Sequence, residues 1–213
     1  MNDNILLSEE QADFVREMMN IGAGNSVEAL SQLLQSPVDV KIPKLDVFPI
    51  SKKPAVFSDL SQAFAATAME MVGDIKGYLF SLVPDEQKYD FIELAKKASP
   101  GSKDESPVED LSVLMEVGNI LAGVFLGAIH DFCKLNIYQT VPTFKVDMFQ
   151  SLIDGVFVDI SRESARVIMI EVEFLVADKV VKIFFLIIPT AGSLKRLVDS
   201  IVKVRELYGI ESD

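Results

Sequence analysis

From Asp13 to Asn25 the chain reads DFVREMMNIGAGN, with apolar and polar positions returning at helical spacing. At about 100° per residue, Asp13, Glu17, Asn20 and Gly24 fall within a stripe roughly 60° wide. Phe14, Val15, Met18, Met19, Ile21 and Ala29 are expected on the inward side. Ser8-Glu-Glu-Gln11 reads as a capping box that opens this helix, and Pro37 closes it near Gln35. Val38 to Ile42 reads as a strand ended by Pro43, followed by an irregular connection with a strand near Leu45 to Ile50. Phe64 to Val72 and Ile75 to Val83 form a hairpin across Gly73-Asp74, and Pro84-Asp85 opens a helix to about Ala98.

The chain then writes the same order again. Ser112 to Gly123, SVLMEVGNILAG, places Ser112, Glu116, Asn119 and Gly123 on one stripe, with Val113, Leu114, Val117, Ile120, Leu121 and Phe125 behind them. The pairs Asp13/Ser112, Glu17/Glu116, Asn20/Asn119 and Pro43/Pro142 are each offset by ninety-nine residues. Ser106-Pro107-Val108-Glu109 is a second capping box, and its helix runs to about Leu135. A strand from Ile137 to Val141 ends at Pro142, Arg166 to Val176 and Val180 to Ile188 make a hairpin, and a helix follows Pro189. About six extra residues fall between Pro142 and Arg166. The reading is an α+β fold of two α-β-β-β-α halves, about 1–105 and 106–213. Their strands are expected to join in one largely antiparallel, pseudo-twofold sheet packed by helices, as a single domain.

Composition narrows the partners. A net charge of −12 argues against nucleic acid and anionic membrane. The one cysteine excludes an intrachain disulfide, the acidic N-terminus lacks a signal-peptide layout, and Val180 to Pro189 is too short to span a bilayer. A cytoplasmic, monomeric protein is expected.

The residues available for chemistry are few. With one histidine, His130, no two-histidine metal site can form, and Cys133 one turn later reads as a small buried hydrophobe. No phosphate-cradling glycine loop is present. Glu171 and Glu173 alternate along a strand as its solvated face. Glycine inside a helix costs about 1 kcal/mol against alanine, so Gly24 and Gly123 point to close approach from outside, whereas Gly22 fits tight helix-on-sheet packing. Around the first stripe stand Arg16, Val27 and Glu28, and around the second Met115, Leu126 and Gly127, so the first rim is expected to be mixed and charged and the second apolar.

The doubled [D/S]-x3-E-x2-N-x22-P pattern resembles the CheC family of bacterial chemotaxis phosphatases, which includes CheX and FliY, and the resemblance covers essentially the whole chain. It implies hydrolysis of the aspartyl phosphate of a CheY-type response regulator. Asn20 and Asn119 would orient the attacking water, and Glu17 and Glu116 would dock to the regulator's lysine. Asp13, Ser112, Gly24, Gly123, Pro43 and Pro142 would be supporting positions. No cofactor of its own is implied, and Mg2+ would belong to the regulator. The alternative implied is a non-catalytic chemotaxis or flagellar-switch adaptor that binds CheD or a response regulator.

Overall fold

Ser8 opens the first helix as a capping box: its hydroxyl accepts from the Gln11 amide at 3.2 Å, and its own amide donates to Gln11 Oε1 at 2.8 Å. The computed structural model describes residues 8–49, 54–57, 59, 62–90, 92–93, 107–158, 166–176 and 179–207. Helix α1 spans Glu9–Leu33 and leads into strand β1, Val38–Pro49. Strands β2, Ala63–Gly73, and β3, Gly77–Pro84, follow as the expected hairpin. Helix α2, Pro107–Cys133, begins with proline at its first position. Then come β4 (Ile137–Gln139), β5 (Thr143–Met148), the short helix α3 (Phe149–Asp154), β6 (Arg166–Val176), β7 (Lys179–Pro189) and α4 (Ala191–Leu207). After Pro84 the chain makes a 3-10 turn at Asp85–Gln87 and is helical at residues 88–90 and 92–93, and the rest of the expected course to Ala98 lies outside the described residues. Ser106 and the Ala177-Asp178 turn also lie outside them.

All strands pair antiparallel in one sheet of order β1-β6-β7-β3-β2-β4, with β5 continuing on β2. The strand that follows each motif helix pairs across the halves: β1 lies on β6, while β4 and β5 lie on β2. Read from either edge, the order of equivalent strands is the same. The register also slips alike: Lys41 and Lys44 face Glu173 and Glu171, and Gln139 and Thr143 face Met71 and Ala68, one extra residue each time at the proline position.

One expectation is corrected here. Pro43 does not end a strand: β1 runs through it as one strand, because an edge strand tolerates proline at a bulge. Thr143–Met148, β5, repeats Lys44–Pro49 of β1 at the same offset of ninety-nine, so the extra residues of the second half fall after it, where α3 stands. Gly73 is required at its turn, with φ of 107° and the Asn136 carbonyl oxygen 2.3 Å from where a Cβ would stand. The adjoining Asp74 accepts from the Asn136 amide and pairs with Arg196, so one turn anchors the start of β4 and helix α4.

Two apolar clusters flank the sheet. On one face α1, α2 and α4 cover Leu79, Ile170, Phe185 and their neighbours, with Phe125 edge-on to Phe185 at 4.9 Å. On the other, Phe57 stacks on Phe149 at 4.1 Å and packs edge-on to Phe64 and Phe184. Beyond that second cluster Lys182 donates to Glu171 and Glu173 at 2.6 and 3.1 Å, the solvated face expected of that pair. Those two acceptors, Glu171 first, hold the Lys182 ammonium above its usual range. Among the described residues, Leu111–Cys133 is the one helical stretch long and apolar enough to cross a bilayer, and half of it is buried inside the fold.

Candidate functional site

Helices α1 and α2 lie side by side and antiparallel, since Phe14 meets Phe132 edge-on at 6.3 Å while Gly22 faces Val124 and Ala128. A Cβ at Gly22 would stand 2.9 Å from the Ala128 Cβ and 3.3 Å from the Val124 oxygen. Gly22 therefore serves helix-on-helix packing, not the helix-on-sheet packing expected. The helix-on-sheet role belongs to Gly118, whose Cβ would meet Thr67 at 3.0 Å and Ser81 at 3.3 Å. These two glycines set the rotation of both helices. With Gly118 seated on the sheet, Glu116 and Asn119 must turn away from it.

The stripes are where the spacing placed them. Asp13, Glu17, Asn20 and Gly24 are all exposed on α1. Ser112, Glu116 and Gly123 are exposed on α2, while Asn119 is half-buried. From the contact register, Asn20 and Asn119 stand about seven to nine residues apart along the helix pair, roughly 10–14 Å. The structure thus brings the members of each stripe together and keeps the two stripes apart. The Pro43 side chain lies outside the described residues. Pro142 is half-buried in the gap between β4 and β5.

Several neighbours differ from expectation. Ile21 is 49% exposed, because α1 buries only the face carrying Val15, Met18, Met19, Gly22, Ala23, Ser26 and Leu30. Ile21 stands about 40° round the helix from Glu17 and extends the polar stripe with an apolar side chain. Ala29 is exposed too. Ile120, in contrast, is half-buried against the core. Leu126 is only 2% exposed, so the second rim keeps Met115 and Gly127 but Leu126 belongs mostly to the core.

Arg16 donates to Asp13 at 2.6 Å, a pairing that the sequence spacing of three allowed but did not single out. Gln139 on β4 is a second omission: its Nε2 lies 3.5 Å from where a Gly123 Cβ would be, one turn from Asn119. Its counterpart in the first half is Val40, so comparing the repeats beyond the helices would have found it.

The two stripes can hold hydrogen-bond acceptors and a carboxamide toward a docking surface. A thiol nucleophile is not available from Cys133, which is buried and whose pKa is pushed by that burial to about 11. His130 donates from Nδ1 to the Leu135 carbonyl at 3.0 Å, which occupies the ring structurally. Among the described residues no group of three or more His, Cys, Asp or Glu side chains could hold a metal ion.

Comparison with known proteins falls on the same two helices. The CheC-like family model matches residues 10–45 and 109–146, which are α1 into β1 and α2 through β4 into β5. The chain is 33% identical over 172 residues to CheY-P phosphatase CheC of Bacillus subtilis (strain 168), covering 78% of this chain and 80% of that one. Its fold is similar to Thermotoga maritima FliY, with a TM-score of 0.73 at 18% identity over 94% of this chain and 100% of that one. The FliM middle domain of H. pylori gives 0.60 at 13% identity over 91% and 99%. CheX of Desulfovibrio desulfuricans gives 0.51 at 11% over 81% and 99%.

Proposed function

Because the chain belongs to the CheC-like family, we propose that it is a phosphatase acting on the aspartyl phosphate of a CheY-type response regulator. One observation carries this reading. Within each family-matched segment, a glutamate and an asparagine three residues apart share the outward stripe of a helix whose rotation is fixed by packing.

The chemistry asked of the chain is modest. An aspartyl phosphate is an activated acyl phosphate, and its hydrolysis needs an aligned water and charge stabilisation, with no thiol or imidazole. The Asn20 and Asn119 carboxamides accept and donate at once, so each can hold a water in line with the phosphorus. Glu17 and Glu116 dock to the regulator's active-site lysine one turn away and set the asparagine's depth. Asp13 and Ser112 support the helix start of each stripe, and Gly24 and Gly123 leave the regulator's backbone room to approach. Pro43 and Pro142 shape the strands behind the stripes. The magnesium ion belongs to the regulator. Under this reading the chain is one domain of two repeats, about 1–105 and 106–213, a monomer that works in the cytoplasm. The matching strand order from either edge and the matched register slips support the repeat.

The alternative is a non-catalytic adaptor that binds CheD or a regulator; the similarity of fold to FliY and the FliM middle domain keeps that reading in view. Phosphate release from a phosphorylated CheY-type regulator of the same genome decides between them. Asn20→Ala with Asn119→Ala should slow release at least about 100-fold, the scale of a lost alignment, without altering the melting curve. Wild-type rates in the double variant would refute the water-orienting role. Regulator binding without any release by the native chain would favour the adaptor.

A further inference from the structure

Four polar residues are buried among the described residues: Ser26, Thr67, Ser81 and Ser193. Two have local duties. Ser26 donates back to the Ala23 carbonyl of its own helix, and Ser193 accepts from the Lys76 amide at a turn. Thr67 and Ser81 are different. They face each other across β2 and β3, 2% and 3% exposed, on the side of the sheet that α2 covers. A buried hydroxyl costs stability unless it has a partner, so its place in a core needs a reason. For Thr67 the partner is α2. Its hydroxyl donates to the Leu114 carbonyl at 3.4 Å, and its Cβ stands 3.0 Å from where a Gly118 Cβ would be. One threonine therefore touches the helix two residues before Glu116 and two after it, immediately before Asn119.

The first half lacks this seat. The matched registers, Lys145 on Ala66 and Asp46 on Met169, put Ile170 at the place of Thr67 and its β7 partner Phe185 at the place of Ser81. On α1, Val15 and Met19 stand for Leu114 and Gly118. All four are apolar and no more than 2% exposed, so no polar group stands behind Glu17 and Asn20 at these positions. We infer that Thr67 is a positioning residue of the second site: with Gly118 it fixes the height and rotation of α2 behind Glu116, and hence where the Asn119 carboxamide points. The inference rests on the phosphatase reading and goes beyond it, adding a residue that never meets the regulator. Its effect falls on kcat. Glu116 has a long, charged side chain that follows a shift on the order of a few tenths of an ångström, whereas a water aligned by the short Asn119 carboxamide is lost from line by it.

The test compares Thr67→Val, which keeps the shape of the side chain and removes its hydroxyl, with Thr67→Ser, which keeps the hydroxyl. In the Asn20→Ala background, with only the second site active, Thr67→Val should lower kcat about tenfold and change KM less than about twofold, while Thr67→Ser holds kcat within about twofold. In the Asn119→Ala background neither variant should move kcat or KM. The melting curve separates positioning from support: valine takes a polar group out of the core, so Thr67→Val should melt no lower than the native chain. The side-chain amide resonances of Asn119 need no turnover to be read. They should shift in Thr67→Val and not in Thr67→Ser, with those of Asn20 unmoved in both. An unchanged kcat through the second site in Thr67→Val would overturn the seat and leave the phosphatase reading intact. A loss shared by both sites, or one that follows a lower melting point, would overturn it too. If the native chain releases no phosphate, the phosphatase reading falls and the Asn119 resonances decide alone: moved by Thr67→Val they uphold the seat, unmoved they overturn it.

Discussion

The two motif helices have matching stripes and unlike surroundings. Helix α1 lies toward the outside, buries one narrow face and leaves Ile21 half in water beside Glu17. Helix α2 is seated on the sheet through Gly118, and its Leu114, Val117, Leu121 and Phe125 are no more than 3% exposed. Asn20 is exposed and Asn119 half-buried, and Asp13 pairs with Arg16 where the second stripe has Ser112 and Met115. The difference teaches that one spacing can be kept while the fold assigns its two copies different mechanical roles. The second stripe rides on the core and the first on its edge.

The largest expected effect is on stability. Leu121→Ala empties a fully buried site on α2 and should cost about 2–5 kcal/mol. Ile21→Ala on α1 should cost less than about 1 kcal/mol, because half of that side chain is already in water. Urea unfolding monitored by circular dichroism compares them, and an Ile21 variant as damaging as the Leu121 variant would mean that α1 is rotated inward.

Glycines sharpen the comparison at a smaller scale. Gly22→Ala pushes a methyl against Ala128 and the Val124 carbonyl, and should lose about 1–3 kcal/mol. Gly24→Ala meets nothing within 4 Å and should gain up to about 1 kcal/mol from helix propensity, while slowing phosphate release through the first site. Thermal melts of the two variants moving in the same direction would contradict the close α1–α2 contact.

The smallest effect expected is in salt dependence. Raising salt from 0.1 to 1 M shortens the Debye length from about 10 to about 3 Å. Activity through the first site (Asn119→Ala) should fall more steeply than through the second (Asn20→Ala), since Arg16 and Glu28 flank the first stripe and Met115 and Gly127 the second. Both should show some slope from Glu17 or Glu116. Equal slopes would show that the flanking residues do not touch the regulator.

What the sequence alone determined is local. The capping box at Ser8, the stripe of Glu17 and Asn20, its copy at Glu116 and Asn119, and the Gly73 hairpin all follow from spacing, which acts over a few residues. The tertiary structure decided the rest. Pro43 looks like a strand end until β6 offers β1 a partner on both sides of a bulge, and Thr143–Met148 becomes a strand because the eleven-residue β2 has an edge to cover. Ile21 looks like core on a helical wheel, but which apolar residues are buried depends on the neighbour a helix meets, and the close approach at Gly22 turned α1 so that Ile21 faces outward. The closeness of Gly123 to Gln139 is set the same way, since Gln139 is held there by the pairing of β4 with β2 across the halves. Spacing fixes which residues share a face; long-range contacts alone fix where that face points.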